Sequence, residues 1–447
     1  SYLSKSFMGL RVCMEILLRG VSYLVTQDGE RRILRDKDVL IKEGVIERIG
    51  NLPASADEIV DGRGLVAIPG LINTHTHIPM TLLRGVADDM PLMAWLSEKI
   101  WPMEANLRPH HIRAGTELGL LESLRTGTTT LFDMYFFEDT IAEAFKEFGV
   151  RGVLASAIID FGTPECRDFN ECLKLADSFV KRWTNDPLII PCYGPHAPYT
   201  VSPEGLVEIA SRSGSNSCVQ VHASETESEV REVSERYGRT PVKLLHEVGL
   251  LTRRTVLAHL VWPMDDEISL ISESGALVSH NPVSNLKLSS GIAPIPEILE
   301  KGVKVSLGTD GAASNNTLDM FETMKIAALI HKARSMNPTV MPAQLVLDMA
   351  TVIPAGYLPW KVGRIQEGYE ADLVLLSTRV PWWTPLHSVI SNLVYSARST
   401  DVRHVIVKGK LLLQDGKLRV KDEERIYEEA ERSSMDLLER SGVTKTS

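Results

Sequence analysis

The chain has 447 residues, 44% of them apolar and 24% charged, and a mean hydropathy near zero, the composition of a globular enzyme with room for one large core and an accessory layer. With 48 basic against 58 acidic side chains the net charge is −10, which excludes a general nucleic-acid or anionic-membrane surface. No apolar run approaches the roughly 18 residues that cross a bilayer. Five cysteines (Cys13, Cys166, Cys172, Cys192, Cys218) form no CxxC pair, which disfavours a disulfide framework or thiolate metal cluster and suggests a reducing, cytoplasmic setting.

In chain order, residues 1–13 read as an extension without a signal-peptide pattern. Residues 14–68 read as a β-layer, with strands expected over 16–25, 38–42 and 45–49 and turns at 27–30 and 43–44. The same pattern returns in residues 366–420, with strands over 372–376, 402–407 and 411–413, so both flanks are expected to build one small β-sandwich. Between them, residues 69–365 alternate apolar strand-like runs (128–133, 153–159, 188–193, 219–222, 255–259, 276–279, 303–308) with helical stretches such as 204–211, 229–237 and 295–301. That alternation and size predict an α/β fold, a (β/α)8 TIM barrel. Residues 421–447 read as a charged helical tail.

The first chemical signal is His75-Thr76-His77 at the end of the apolar run 65–72. Residues two apart on an extended chain face the same side, so both imidazoles can meet one ion. His222 follows 147 residues after His75, about four βα units on, and Asp310 a further 88, which places them after strands one, five and eight. His196 and His259 fall at the ends of strands four and six. All five positions therefore aim at the C-terminal mouth of one barrel; the alternative is a set of separate hydrogen-bonded histidines. Three imidazoles with a carboxylate suit Zn²⁺, with Fe²⁺ or Mn²⁺ compatible, and such a site is hydrolytic in kind. Glu225, three residues past His222, is the candidate proton carrier, and His259 and Asp310 are candidates for holding and polarising the water.

These residues resemble the amidohydrolase superfamily, in its branch of methylthioadenosine and S-adenosylhomocysteine deaminases, triazine chlorohydrolases, and cytosine and guanine deaminases. The resemblance rests on the segments 69–77 (PGLINTHTH), 81–85 (TLLRG), 279–288 (SHNPVSNLKL), 307–316 (LGTDGAASNN) and 363–373 (GRIQEGYEADL). It implies that His75, His77, His222 and Asp310 bind one catalytic divalent metal, that Glu225 shuttles the proton, and that His259 positions the hydroxide. Strand four ends in Tyr193-Gly194-Pro195-His196 with no lysine to bridge a second ion, so a mononuclear site is expected. Glu104, in Trp101-Pro102-Met103-Glu104, resembles the ribose-binding glutamate of nucleoside deaminases, and His196 the nucleoside-contacting histidine. Of the two arginines that bind the amino-acid tail of S-adenosylhomocysteine, Arg167 aligns with one and Ser156 stands in place of the other. The expected activity is deamination of an adenine nucleoside (methylthioadenosine, S-adenosylhomocysteine, 5′-deoxyadenosine or adenosine) by a homo-oligomer acting on this small substrate and water. Hydrolysis of another heterocycle, such as guanine, cytosine or a triazine, and a non-catalytic scaffold are the rival readings.

Overall fold

The computed structural model describes residues 14–53, 55–214 and 216–443, so the expected extension 1–13 and the end of the tail lie outside the described residues. Eight parallel strands form one sheet in sequential order: β1 (Leu71–Thr76), β2 (Thr128–Tyr135), β3 (Arg151–Ile158), β4 (Ile189–Pro195), β5 (Cys218–Ala223), β6 (Thr255–His259), β7 (Leu277–His280) and β8 (Lys304–Leu307). The seam between β8 and β1 is closed by hydrogen bonds from Thr74 Oγ1 to Leu307 O (3.0 Å) and from Asp310 N to His75 O (2.9 Å). Helices intervene between most strands, and the result is the expected TIM barrel.

A second, nine-stranded mixed sheet is built from both ends of the chain. Its central strand Ile16–Val25 pairs antiparallel with Ile33–Lys42 and parallel with Leu65–Pro69, which in turn pairs antiparallel with Leu373–Ser377. Period two sorts the side chains of these strands between two cores: Val66, Ile68, Val374 and Leu376 join the barrel core, whereas Leu65, Ala67, Leu373 and Leu375 join the small core of the sheet. The strand expected over 38–42 starts five residues earlier, at Ile33, because Arg35, Asp36 and Lys37 lie on a solvated stretch and mask the apolar alternation. The single apolar run 65–72 is in fact two strands in two sheets, divided at Gly70. A Cβ at Gly70 would lie 2.0 Å from Thr129 Oγ1, so only glycine lets the chain cross from one sheet to the other there.

The cysteine reading is corrected by the structure: Cys166–Cys172 and Cys192–Cys218 are disulfide-bonded. Cys192 and Cys218 stand directly opposite each other on neighbouring strands β4 and β5, a register that residue spacing does not display. Cys166 and Cys172 bridge a loop to the first turn of helix Phe169–Trp183. The pairing removes the cysteine-based ground for a reducing compartment. Among the described residues no helix is long and apolar enough to cross a membrane.

Candidate active site

β1, β4, β5, β6 and β8 end around one point at the barrel mouth, and the chain bends sharply there. Ser224 (φ +53°), His259 (φ +85°) and Asp310 (φ +63°) all adopt the left-handed region that non-glycine residues rarely occupy. At these three strand ends the backbone conformation is spent on aiming side chains inward.

Four imidazoles cluster here, with ring centroids of His75 lying 4.8 Å from His77, 5.0 Å from His222 and 5.2 Å from His259. Outer hydrogen bonds assign the protons of His77, His222 and His259. His77 Nδ1 lies 2.6 Å from Met134 O and His222 Nδ1 lies 2.6 Å from His196 O. A carbonyl only accepts, so each Nδ1 carries the hydrogen and each Nε2 is left with a lone pair. Those two lone-pair atoms nevertheless face each other at 3.3 Å. Asp310 Oδ1 sits 3.3 Å from the Nε2 atoms of both His75 and His77, and His75 Nε2 is buried without a hydrogen-bond partner. Burial holds His75 neutral, its pKa lowered to about 4, and pushes that of His222 well below its usual value. Converging acceptors without donors are unfavourable in a dry site unless a cation lies among them, and this donor set fits a divalent metal.

His259 is sorted the other way. The Asn285 amide Nδ2, assigned as donor, is 3.0 Å from His259 Nδ1, which leaves the proton on Nε2. That Nε2 points between Glu225 Oε2 (3.6 Å) and Asp310 Oδ2 (3.8 Å). It is therefore a hydrogen-bond donor rather than a fourth imidazole ligand. Burial, with the Asp310 charge adding to it, pushes the Glu225 carboxyl up to about 8, so it is held as an acid at neutral pH. Asp310 is fixed by Ser284 Oγ on Oδ2 (2.8 Å) and by Gly311 N on Oδ1 (2.9 Å).

Further out, His196 Nδ1 lies 2.8 Å from Thr200 Oγ1, whose own hydroxyl donates to Ala197 O. Nδ1 is thus the donor, and Nε2 is free to accept. Its ring lies 4.8 Å from that of His222. Glu104 ends the short helix Trp101–Glu104 and accepts a 2.6 Å hydrogen bond from Tyr135 OH, at the end of β2 and 6.0 Å ring to ring from His77. Arg167 is not brought into this group: its side chain is 89% exposed and pairs with Glu171 at 2.6 Å. Ser156 is buried near the end of β3.

Three supporting residues have no role in the sequence reading. Glu229 accepts from the backbone N–H of Ser224 (2.5 Å) and of Glu225 (3.4 Å), gripping the turn that carries Glu225. The signal for it is Thr226-x-x-Glu229, a capping-box pattern: Thr226 Oγ1 accepts from Glu229 N at 3.1 Å. Ser284 and Asn285 lie inside the 279–288 segment, where nothing but the fold shows which imidazole or carboxylate they touch.

The profile of the Amidohydrolase family matches residues 66–412. The chain is 46% identical to a 5′-deoxyadenosine deaminase from Methanopyrus kandleri, over 94% of this chain and 96% of that one. It is 44% identical to a 5-methylthioadenosine/S-adenosylhomocysteine deaminase from Thermococcus onnurineus, over 91% and 95%. A crystal structure of an adenosine deaminase from Xanthomonas campestris with bound zinc superposes with a TM-score of 0.91 at 35% identity, covering 94% of this chain and 98% of that one. The profile takes in the whole barrel together with strands of the terminal sheet, and on this ground the chain belongs to the amidohydrolase family.

Proposed function

We propose that this protein is a metal-dependent hydrolytic deaminase of adenine nucleosides: water adds to the ring carbon that bears the amine, ammonia leaves, and an inosine-type product remains. The observation that carries this reading is the sorting of protons at the barrel mouth. His77 and His222 turn lone pairs toward one carboxylate and the buried, unpartnered Nε2 of His75 joins them, while His259 turns an N–H and Glu225 an acidic proton toward the same space. The similarity to relatives named as deaminases of 5′-deoxyadenosine and methylthioadenosine supports the substrate class.

His75, His77 and His222 through Nε2, and Asp310 through its carboxylate, are the residues that would hold one divalent ion, zinc by the chemistry of the donors. When bound, such an ion lowers the pKa of water toward neutrality and so supplies the nucleophile. The chain's own groups do the rest. Glu225 gives its proton to the ring nitrogen next to the carbon under attack, which makes that carbon electrophilic, and then, as a carboxylate, takes the proton of the newly added hydroxyl and passes it to the leaving amine, so that ammonia departs as the carbonyl forms. His259 donates a hydrogen bond to the attacking oxygen, and Asn285 keeps its ring in that tautomer. Glu229, by holding the amides of Ser224 and Glu225, keeps the acid in reach. Glu104, with one oxygen taken by Tyr135, offers the other to the ribose hydroxyls, and His196 Nε2 accepts from the nucleoside.

The five-prime group is read from Arg167 and Ser156. Arg167 is engaged with Glu171 in solvent and Ser156 brings no cation, which supports an uncharged five-prime group over an amino-acid tail. Steady-state kinetics on 5′-deoxyadenosine, methylthioadenosine, adenosine and S-adenosylhomocysteine, with guanine and a triazine alongside, test the proposal. Turnover of the free heterocycles without turnover of any nucleoside overturns it in favour of the rival hydrolase, and a protein that binds no stoichiometric metal overturns it in favour of a scaffold.

A further inference from the structure

His110, His111 and Asp436 form a second cluster of the kind that can hold an ion. Its hydrogen bonds say otherwise. His111 Nδ1 accepts from Arg108 N at 2.9 Å, so its proton is on Nε2, which donates to Asp436 Oδ2 at 2.6 Å. Arg440 Nε donates to the same oxygen at 2.8 Å and His110 Nε2 lies 3.3 Å from it, which leaves no lone pair of His111 for a metal and sets a guanidinium where the metal would be. The cluster is a lock rather than a ligand set, and what it joins is informative.

Asp436 belongs to the C-terminal helix Glu423–Ser441, which lies against helix Pro109–Arg125, against the turn Ile78–Leu83 that follows His77, and against Trp101–Glu104. Ser434 Oγ donates to Leu82 O at 3.1 Å. Helix Pro109–Arg125 is itself pressed onto the same turn: a Cβ at Gly115 would sit 2.4 Å from Pro79 O, and one at Gly119 would sit 2.3 Å from the Ile78 side chain. The segment 84–108 follows that turn, brings Glu104 to Tyr135 at the end of β2 and enters this helix through a short chain of hydrogen bonds. Leu107 N donates to Glu104 O (3.2 Å), Arg108 N to His111 Nδ1, and His111 Nε2 to Asp436. The fully buried His111 ring thus ties the turn just after Glu104 to the C-terminal helix.

We propose that the C-terminal helix positions the ribose-binding carboxylate, with His111 and Asp436 as positioning residues that fix Glu104 over the barrel mouth. This rests on the reading of Glu104 as the acceptor of the ribose hydroxyls. A carboxylate that must accept from two hydroxyls at once tolerates little displacement, so loosening the turn behind it weakens sugar binding before it affects the ring chemistry.

The test compares adenosine with 2′,3′-dideoxyadenosine, which lacks the diol, on the metal-loaded enzyme. Asp436→Ala is expected to lower kcat/KM for adenosine about tenfold, chiefly through KM, and to change that for the dideoxy substrate less than about twofold. Asp436→Asn, which keeps an acceptor for His111, is expected to restore adenosine to within about twofold of the unaltered enzyme. His111→Asn keeps an acceptor for Arg108 N but does not reach Asp436; it is expected to reproduce Asp436→Ala and replaces it should that variant not fold. Glu104→Ala on the same two substrates separates the two levels. If Glu104→Ala discriminates between them and neither Asp436→Ala nor His111→Asn does, the role of the C-terminal helix is wrong and that of Glu104 stands. If Glu104→Ala fails to discriminate, both fall.

Discussion

Two buried polar constellations sit at opposite ends of this barrel's logic. Where β3 begins, against the terminal sheet, the buried Arg151 guanidinium meets Asp372 through two hydrogen bonds (2.8 and 3.0 Å), approaches Glu370 at 3.3 Å and stacks over the Trp360 ring. Asp372 also accepts from Lys408 N (2.8 Å), and its carbonyl accepts from Gly70 N (3.0 Å). Nε and Nη2 of the arginine meet acceptors, Nη1 alone being without a partner, and the opposite charges hold barrel and sheet together. At the mouth, lone pair faces lone pair, a protonated acid lies beside a carboxylate, and three strand ends take a disfavoured backbone conformation. A buried polar group that serves the fold meets the opposite charge among its neighbours. One that serves chemistry is held in position with its acceptors turned toward a shared point.

Substitutions at the two places should separate in kind. His222→Ala should lose metal and turnover together, at least about a thousandfold in kcat/KM, read by elemental analysis and steady-state kinetics. Glu225→Gln should keep stoichiometric metal and lose turnover by about 10²- to 10⁴-fold; near-normal turnover would refute the proton-shuttle role. Arg151→Met strands Asp372 without its partner, so it should cost about 3–5 kcal/mol of unfolding free energy in denaturant titration while the folded fraction keeps its metal. Glu229→Ala frees the Ser224–Glu225 turn and should lower kcat about tenfold with metal content unchanged. Arg167→Ala should have the smallest effect, less than about twofold on every nucleoside, because its side chain is engaged with Glu171 in solvent; a selective loss on S-adenosylhomocysteine would show that it reaches an amino-acid tail.

The barrel was legible because each chemical residue follows an apolar run, and runs a βα unit apart stack in order. His75, His222, His259 and Asp310 therefore fall around one mouth from spacing alone. What spacing does not carry is the partner of each side chain across the sheet. The proton positions of His77 and His222 depend on carbonyls of β2 and of the turn after β4, and that of His259 on Asn285 beyond β7. The cysteine pair between β4 and β5 was hidden for the same reason, being a matter of register. Gly70 hid the boundary between the two sheets because an apolar run on either side of a glycine looks continuous in one dimension.

The strand Leu65–Pro69 has a consequence for the order in which the molecule can be completed. It is fully buried, with Ile16–Val25 on one side and Leu373–Ser377 on the other. As the chain is synthesised, its first neighbour is ready at once, whereas the second emerges only about 300 residues later, after all eight barrel strands. Until then an apolar strand edge stays open to any extended segment it meets, its own or another chain's. The nascent protein is therefore most exposed to mispairing when its catalytic barrel is nearly finished, and Leu373–Ser377 both completes the sheet and covers that edge.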